Sequence, residues 1–410
     1  MNIWLVSLFD PTPLDEPIYP RFVEIAKAAN LKGHDVHHFT STFRHTTKSQ
    51  RFEETKSHAI SEAYTVHFVK SMGYQNNFSP KRFYAHYDFA KNLIKKFKQF
   101  SNLPDVIFIS MPPLSTIKIV TKWAEFQKIA VVIDVIDPWP DSFIKDVPAS
   151  LKPLSRVLVS PFTKLLRKAF DKATAITAIS NGYLKWASNY HSNKKLTSPF
   201  FLAINLDEVQ ASIQNIAKGR SHTGKFRFIY AGSMASSYDI PCILNAAELL
   251  DKNHPGITEF VFTGKGPQVK LVHEYEQRLN NVKYLGWLSK EQLLEEYGKA
   301  DFGLIQHKNS LTQTITYKFF NYMSAGLVLL NSLQTEMAEM IVEYKLGKNN
   351  LEMDHEGLYY NIVSYLNNPE HLENQRRNVI EFTRKYGHVN NVYGSLVDFL
   401  INVSSKVNSQ

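Results

Sequence analysis

Short apolar runs rich in β-branched residues alternate along this chain with segments whose apolar positions fall three and four apart. The first half offers "NIWLVSLF" (2 to 9), "HDVHHFT" (34 to 40), "DVIFIS" (105 to 110), "AVVIDVI" (130 to 136) and "ATAITAIS" (173 to 180) as strands, with helical patterns between them. Period-two runs alternating with period-3.6 segments predict parallel α/β construction rather than a sandwich or a bundle. The first helix is expected over 20 to 31, with Gly33 available as its left-handed cap. The loop after the first strand, "FDPTPLDEPIYP", is proline-rich and carries no G-x-G-x-x-G, so a dinucleotide fingerprint is absent there.

A second series begins after "TSPFFLAINLDEV" (197 to 209), with strands "FRFIYAGS" (226 to 233), "EFVFTG" (259 to 264), "VKYLG" (282 to 286), "FGLIQ" (302 to 306) and "LVLLNS" (327 to 332). Each runs out into a small or polar loop: "AGSMASS", "GKGP", "GWLS", "HKNS", "NSLQ". In open parallel sheets that carboxyl edge is where ligands bind. The pattern predicts a Rossmann-like domain over 1–200, a second over 206–385, which a family resemblance would make the acceptor and the donor domain respectively, and a terminal helix over 386–410 that crosses back to the first domain. Two such domains facing across a cleft suit a small phosphorylated donor on one side and an acceptor on the other.

The chain's 410 residues, 44% of them apolar, suffice for two cores. No stretch has the length of uninterrupted apolar residues that a membrane-spanning helix needs, and the amino terminus lacks a basic n-region, so a cytoplasmic protein is expected. The single cysteine, Cys242, excludes an internal disulfide and a cysteine-based metal cluster. A formal charge of +9 points to anionic partners. Two basic amphipathic stretches, 89 to 100 with Leu93, Phe97 and Phe100 on one stripe and 151 to 170 with Leu158, Phe162, Leu165 and Leu166, are candidates for an anionic membrane surface. The competing reading is two ordinary surface helices. No nucleic-acid-binding signature is present, and the charge is scattered.

Three segments carry candidate chemistry. "FTGKGP" brackets Lys265 with Gly264 and Gly266 directly after a strand, which lets the backbone approach a phosphate, although plain loop chemistry looks the same. "TQTITYKFFNYMSAG" predicts a helix capped by Thr314 or Thr316, with Lys318 one turn inside. A cation at the positive end of a helix is locally unfavourable, so an anion held between the lysine and the helix end would explain it. A lysine stem lying over Tyr317 and Phe320 is the bland alternative. Trp287 and Leu288, after the third strand of this half, offer a flat surface for a nucleobase or, equally, a buried seal for the adjacent helix.

The series "FIYAGS…FVFTGKGP…NVKYLGWLSKEQLLEEYGKADFGLI…YKFFNYMSAGLVLLNS" resembles the carboxyl-terminal domain of GT-B glycosyltransferases of family 4. More narrowly it is similar to the bacterial capsule and O-antigen transferases that include N-acetylfucosaminyltransferases. "SMPPLSTIKIV", "VVIDVIDPWPDSF" and "DKATAITAISNG" in the first half resemble segments of the same subgroup. The resemblance implies an α/β GT-B fold and a retaining transfer from a nucleotide sugar, with a UDP-sugar favoured and no metal, to a polysaccharide or lipid-linked acceptor. It implies donor binding by Gly232, Ser233, Lys265, Gly266, Trp287, Leu288, Gln313, Thr314, Ile315, Thr316 and Asn321, and catalysis by Asp137 and Lys318. It also implies work on surface glycans, peripheral to the inner face of a cell membrane.

The chain departs from the family at telling places. Gln313 and Asn321 stand where the broad family has two glutamates. Ser233 and Asp239 stand where it has an arginine and a lysine, and Ile136 replaces a histidine before Asp137. Lys265 and Lys318 are left as the cations for a diphosphate, while Asp137 either orients the acceptor or caps the "PWP" turn. Two rival readings stay open: a non-catalytic subunit or binding module, and a sugar-nucleotide epimerase of the same fold.

Overall fold

The structure is a computed structural model that describes residues 1–15, 21–77, 79–144, 147–191, 195–217, 224–308 and 314–408. The chain divides into two compact units. The first comprises Met1–Phe201 with Val389–Gln410, and the second Leu202–His388.

Unit 1 runs β1 (Asn2–Val6), α1 (Arg21–Leu31), β2 (Asp35–Ser41), a small hairpin of β3 (Phe43–Arg44) and β4 (Ser49–Gln50), then β5 (Lys56–Ser61) and β6 (Tyr64–Val69). It continues with α2 (Pro80–Phe97), β7 (Val106–Met111), α3 (Leu114–Gln127), β8 (Ala130–Val135), α4 (Lys152–Lys172), β9 (Ala175–Ala178), α5 (Asn181–Ala187) and β10 (Leu196–Pro199). Eight strands form one sheet in the order β10-β9-β8-β7-β1-β2-β6-β5. All its pairings are parallel except β5 with β6. The chain order reverses at β1, whose neighbours are β2 and β7.

Strands β7 and β8 are buried along their whole length, as a parallel strand covered on both faces must be. Helix α1 ends at Gly33, whose φ of +76° is the left-handed conformation expected of it. Inside, Arg21 and Asp134 form a fully buried ion pair at 3.0 Å. Thr177 Oγ1 donates to Asp134 at 2.7 Å and Arg21 Nη1 to the Phe201 carbonyl at 3.1 Å. These bonds satisfy both charges, so removing either partner alone would strand the other, at a cost of about 3–5 kcal/mol.

Unit 2 runs α6 (Leu206–Ala217), β11 (Phe226–Ser233), α7 (Ile240–Asn253), β12 (Thr258–Lys265), α8 (Val269–Glu276), β13 (Val282–Tyr284), α9 (Lys290–Lys299) and β14 (Phe302–Ile305). It closes with α10 (Tyr317–Ser324), β15 (Val328–Asn331), α11 (Glu336–Glu343), β16 (Gly347–Asn349), α12 (His355–Leu366) and α13 (Pro369–Tyr386). Its six strands are all parallel, in the order β13-β12-β11-β14-β15-β16, and the chain order reverses between β11 and β14. The Phe228 ring stacks between Phe260 at 4.7 Å and Phe302 at 4.8 Å, one aromatic from each of three adjacent strands. The last helix, α14 (Val389–Asn408), belongs to unit 1, where it packs on α1. Among the described residues no helix is long and apolar enough to cross a membrane.

Candidate functional site

The crevice outside the carboxyl ends of β11 and β14, where the strand order of unit 2 reverses, is the place where open α/β sheets bind ligands. Three glycines shape its floor. Gly232, Gly264 and Gly266 have φ of +128°, +136° and +152°, which side chains rarely adopt. A Cβ at Gly264 would fall 1.8 Å from the Gly232 carbonyl oxygen, and one at Gly266 2.6 Å from the Met234 carbonyl carbon. The loops are laced by backbone: Met234 N–H donates to Lys265 O at 2.9 Å and Gly264 N–H to Gly286 O at 2.8 Å. The edge is therefore main chain laid against main chain, with little side-chain bulk between it and a ligand.

Helix α10 is set over this edge by Tyr322. Its hydroxyl accepts the Ala231 N–H of β11 at 2.9 Å, and its ring lies so close to Gly303 of β14 that a Cβ there would come within 2.4 Å. Lys318 is four residues earlier, hence on the same helix face, and its side chain reaches β11 at Gly232. There the Nζ sits 3.8 Å from the centre of the Tyr230 ring and 4.2 Å from that of Tyr238. The ammonium is buried and has no hydrogen-bond partner.

Burial pushes the Lys318 pKa well below the ordinary lysine range. Two tyrosine faces return part of the lost hydration through cation–π attraction, but they accept no proper hydrogen bond. Thr316 holds the N-cap position with extended backbone (φ −102°, ψ 156°), yet its hydroxyl caps nothing and is also buried without a partner. The expected side-chain cap is thus not formed by Thr316. Thr314 lends its carbonyl to Thr335 Oγ1 at 2.6 Å, and Ile315 is buried. Asn321 follows Lys318 by one turn and is half-buried. Gln313 lies outside the described residues.

His307, just past β14, completes the cluster. Its ring packs at 4.7 Å on Tyr238, both ring nitrogens are buried without partners, and burial together with the Lys318 charge drives its pKa down to about 3. Its backbone is pinned by a reciprocal pair of bonds with Ser332 Oγ, at 2.8 and 2.9 Å. Unpartnered buried groups on three side chains, at a strand-order reversal and beside glycine-built loops, make a polar cluster whose own residues do not complete it.

Other expected residues sit around this centre. Ser233 is exposed at the end of β11, and its carbonyl accepts from the Tyr230 hydroxyl. Lys265 lies 5.1 Å over the Trp287 ring. Trp287 is 59% exposed, so it seals no helix and leaves a flat aromatic face open, with Leu288 half-buried beside it. Asp239 is a structural residue. It caps α7 by accepting the Cys242 N–H at 3.3 Å and accepts the Met353 N–H at 2.8 Å.

In unit 1, Asp137 shapes its own turn, taking the Trp139 indole N–H at 2.9 Å on its carboxylate and the Trp139 backbone N–H at 2.8 Å on its carbonyl. The stretch 89 to 100 does not offer its apolar stripe to a membrane. Leu93 and Phe97 are fully buried against the sheet, and the exposed positions are Lys91, Lys95, Lys98 and Gln99. Helix α4 differs: Leu166, Ala169 and Phe170 are buried, whereas Leu151, Leu154, Val157 and Leu158 stand exposed beside Lys152 and Arg156.

Tyr230, Tyr238 and His307 were not anticipated from the sequence. Tyr230 reads as one more strand residue and Tyr238 as a loop aromatic, and only the fold brings them to Lys318. The one available signal was that the loop "GSMASSYD" carries no cation of its own beside a ligand edge.

No family model matches the chain, and no curated protein matches it by sequence. Solved structures do match it over their full length. Sucrose-phosphate synthase from Thermosynechococcus elongatus aligns at a TM-score of 0.74 with 12% identity, covering 99% of each chain. HepE from Anabaena, in a complex with UDP and glucose, aligns at 0.65 with 12% identity, covering 98% of this chain and 100% of that one. WaaG, a glycosyltransferase involved in lipopolysaccharide biosynthesis, aligns at 0.65 with 13% identity, covering 98% and 99%. At such identities the likeness is one of fold, and the two Rossmann-like units are those of the GT-B architecture.

Proposed function

We propose that the chain is a retaining glycosyltransferase that moves a sugar from a nucleotide donor, a UDP-sugar, to a glycan or lipid-linked acceptor in surface polysaccharide assembly. The observation that carries this reading is the buried, unpartnered Lys318 ammonium beside Gly232 at the strand-order reversal of unit 2. A diphosphate placed there would receive the lysine's hydrogen bonds and face the amino end of α10, and its charge would restore the lysine to its ordinary protonation. Trp287 and Leu288 offer the base a stacking face, and Asn321 a hydrogen bond to ribose or sugar. HepE, of the same fold, was solved with UDP, which supports the choice of donor.

With no carboxylate at position 321, the transfer needs no covalent glycosyl-enzyme. The acceptor hydroxyl attacks the anomeric carbon from the face that the diphosphate leaves, the carbon–oxygen bond to the diphosphate breaks, and a diphosphate oxygen takes the hydroxyl proton. Lys318 and the first-turn amides of α10 support the charge that develops on the leaving group, so no metal is required. Asp137, whose carboxylate holds the Trp139 indole N–H, is the residue of unit 1 assigned to acceptor orientation. The exposed apolar and basic face of α4 supports a peripheral association with anionic membrane.

Calorimetric titration tests the donor site. A charge-assisted contact is worth about 1.5–3 kcal/mol, so Lys318→Ala should weaken UDP about ten- to a hundredfold while uridine binds nearly as before. The melting temperature without ligand should hold or rise, because an unpartnered buried cation is removed. Equal UDP affinity in parent and variant would overturn the assignment. Retention is checked by the anomeric coupling of the product, and UDP binding without turnover against a lipid-linked acceptor panel would instead identify a binding module.

A further inference from the structure

Lys318 is closed in by side chains from three other elements, and none of them brings a counter-charge. β11 supplies the Tyr230 ring and the loop before α7 the Tyr238 ring, while the end of β14 brings His307 against Tyr238, near enough for the lysine charge to lower its pKa. Burial holds the phenols of Tyr230 and Tyr238 above their ordinary range, so neither is a phenolate. The Tyr230 hydroxyl donates to the Ser233 carbonyl, and the hydroxyl of Tyr322, one turn on along α10, accepts the Ala231 N–H. The carboxylate of Asp239, next to Tyr238 in the chain, is taken by the Cys242 and Met353 amides. Among the described residues no carboxylate reaches the Lys318 nitrogen.

His307 adds a second base, not an acid. It is 1% exposed, and neither ring nitrogen has a partner. Its backbone cannot carry the ring away. His307 pairs with Tyr238 in an antiparallel bridge, and Lys308 N–H donates to Ser237 O at 3.0 Å. The preceding Gln306 is locked to Asn350 by two side-chain bonds of 3.1 and 3.0 Å and to the Leu330 carbonyl at 3.0 Å. The imidazole is thus fixed against Tyr238, and Tyr238 is a wall that closes on Lys318.

A charge withdrawn from water, with neither a hydrogen bond nor a counter-charge, sheds its proton. Two ring faces attract a cation, but they replace only part of its hydration. A diphosphate reverses the balance, since it brings the counter-charge that the cluster lacks. We propose that a nucleoside diphosphate binds here together with one proton from solvent, which Lys318 takes up, and that His307 is a positioning residue that holds Tyr238 over the lysine. Both statements rest on reading this edge as the donor site. Water or buffer gives up the proton, the lysine amine gains an N–H bond, and the proton returns to solvent when the diphosphate leaves.

UDP is titrated calorimetrically into the full chain at pH 8.0, in buffers of different ionisation enthalpy, which gives the number of protons exchanged per UDP bound. At that pH the terminal phosphate, with a second pKa of about 6, has no proton left to release. The parent should take up about one proton, and its affinity for UDP should weaken about tenfold from pH 7.5 to 8.5. Lys318→Arg keeps a cation that does not titrate, so UDP binding should exchange no proton and vary by less than about twofold over the same range. His307→Phe keeps a ring on Tyr238 without a titratable nitrogen and should keep the uptake. His307→Ala frees Tyr238 and lets water reach the lysine, so the uptake should fall below about half a proton while UDP still binds. Melting curves establish that each variant folds. Should Lys318→Arg fail to fold, Lys318→Met takes its place, with the same expected absence of uptake.

UDP binding by the parent with no net uptake, or uptake that survives Lys318→Arg or Lys318→Met, overturns the assignment of the proton and leaves the donor site standing. Loss of uptake in His307→Phe overturns the positioning role, because it places the proton on the imidazole, and full uptake in His307→Ala overturns it as well. A parent that binds no UDP sinks the donor reading, and the proton-linked site falls with it.

Discussion

The two sheets of this chain are built alike and end differently. Unit 2 finishes its strands at β11 and β12 with glycines at positive φ, so its ligand edge is main chain packed against main chain, with one lysine brought in from a helix. Unit 1 finishes β1, β2 and β6 in phenylalanine, serine, histidine and tyrosine, and Lys48 and Arg82 stand over the Tyr74 ring. A backbone edge suits a ligand of fixed charge and shape, such as a diphosphate, because amides and a fixed lysine read charge and shape only. A side-chain edge can be reshaped residue by residue. The difference also predicts how each half fails.

The largest effect is expected from the backbone edge. Gly264→Ala puts a Cβ 1.8 Å from the Gly232 oxygen, which has no room to retreat because both strands are hydrogen-bonded through that point. The cost should exceed about 3 kcal/mol, as strain at a special φ combined with a backbone clash. Equilibrium unfolding in urea should show unit 2 lost first, with UDP binding abolished. By contrast Phe9→Leu at the side-chain edge should cost about 1.5 kcal/mol or less, since a half-buried ring is exchanged for a smaller apolar group. If both variants unfold alike, the contrast between the two edges is false.

Acid separates the units next. His38, His67 and His86 in unit 1 are held near 3 by burial, with His45 near 4, while among the described residues of unit 2 His307 alone is in that condition. A histidine depressed in the fold binds its proton only on unfolding. The stability is therefore intact above the unfolded value of about 6.5 and is lost as pH falls towards the folded one. Each buried histidine should withdraw about 1 kcal/mol per pH unit across that window. Asp10 in unit 1, raised to about 6 by burial, acts the other way: its stabilisation is present below the free carboxylate value and lost as pH rises through 6. Three buried histidines outweigh one aspartate, so hydrogen exchange followed from pH 7 to 4 should show unit 1 opening before unit 2. Simultaneous opening would refute the ranking.

The fold class was legible because its strands are buried on both faces. "DVIFIS" and "AVVIDVI" had to be strands, and "FRFIYAGS" has the same bounds in the structure as in the sequence reading. The strands that went unseen lack that signal. β5 is an edge strand exposed at nearly every position, β16 is "GKN", and in β6 the apolar run is broken by Thr65 and His67. Within the site, Lys318 stood out because a helix mouth is a local feature. Tyr238 is eighty positions earlier by residue number, and nothing local tells a loop tyrosine that it will box an ammonium. The stripe Leu93–Phe97 misled for the same reason: amphipathy shows that a helix has an apolar face, and only the fold decides whether protein or membrane covers it.

That ambiguity gives a smaller prediction in unit 1. Leu154→Ser with Leu158→Ser on α4 should reduce sedimentation with acidic liposomes several-fold, because each exposed leucine can bury about 1.5–3 kcal/mol of side chain in lipid. Lys95→Glu with Lys98→Glu on α2 should reduce it less and only at low salt, since those lysines carry no free apolar stripe. The reverse order would return the membrane face to α2.

The smallest effect compares two lysines of unit 2. Lys265 and Lys318 both stand at the ligand edge, but Lys265 is exposed, with its ammonium 5.1 Å over an open Trp287 ring, whereas Lys318 is enclosed by two tyrosines. Water and salt screen the first charge and not the second, and exposed ion pairs are worth about 0–1 kcal/mol. Lys265→Ala should therefore weaken UDP by about two- to fivefold at low ionic strength, and by nothing measurable at 0.5 M salt, where the Debye length has shrunk to about 4 Å. The Lys318→Ala loss should persist at both salts, because the anion it meets is desolvated. Calorimetry at two ionic strengths decides between them: a salt-independent loss at Lys265 would mean that the bound ligand closes over Trp287, and that this part of the edge is as enclosed as the tyrosine box.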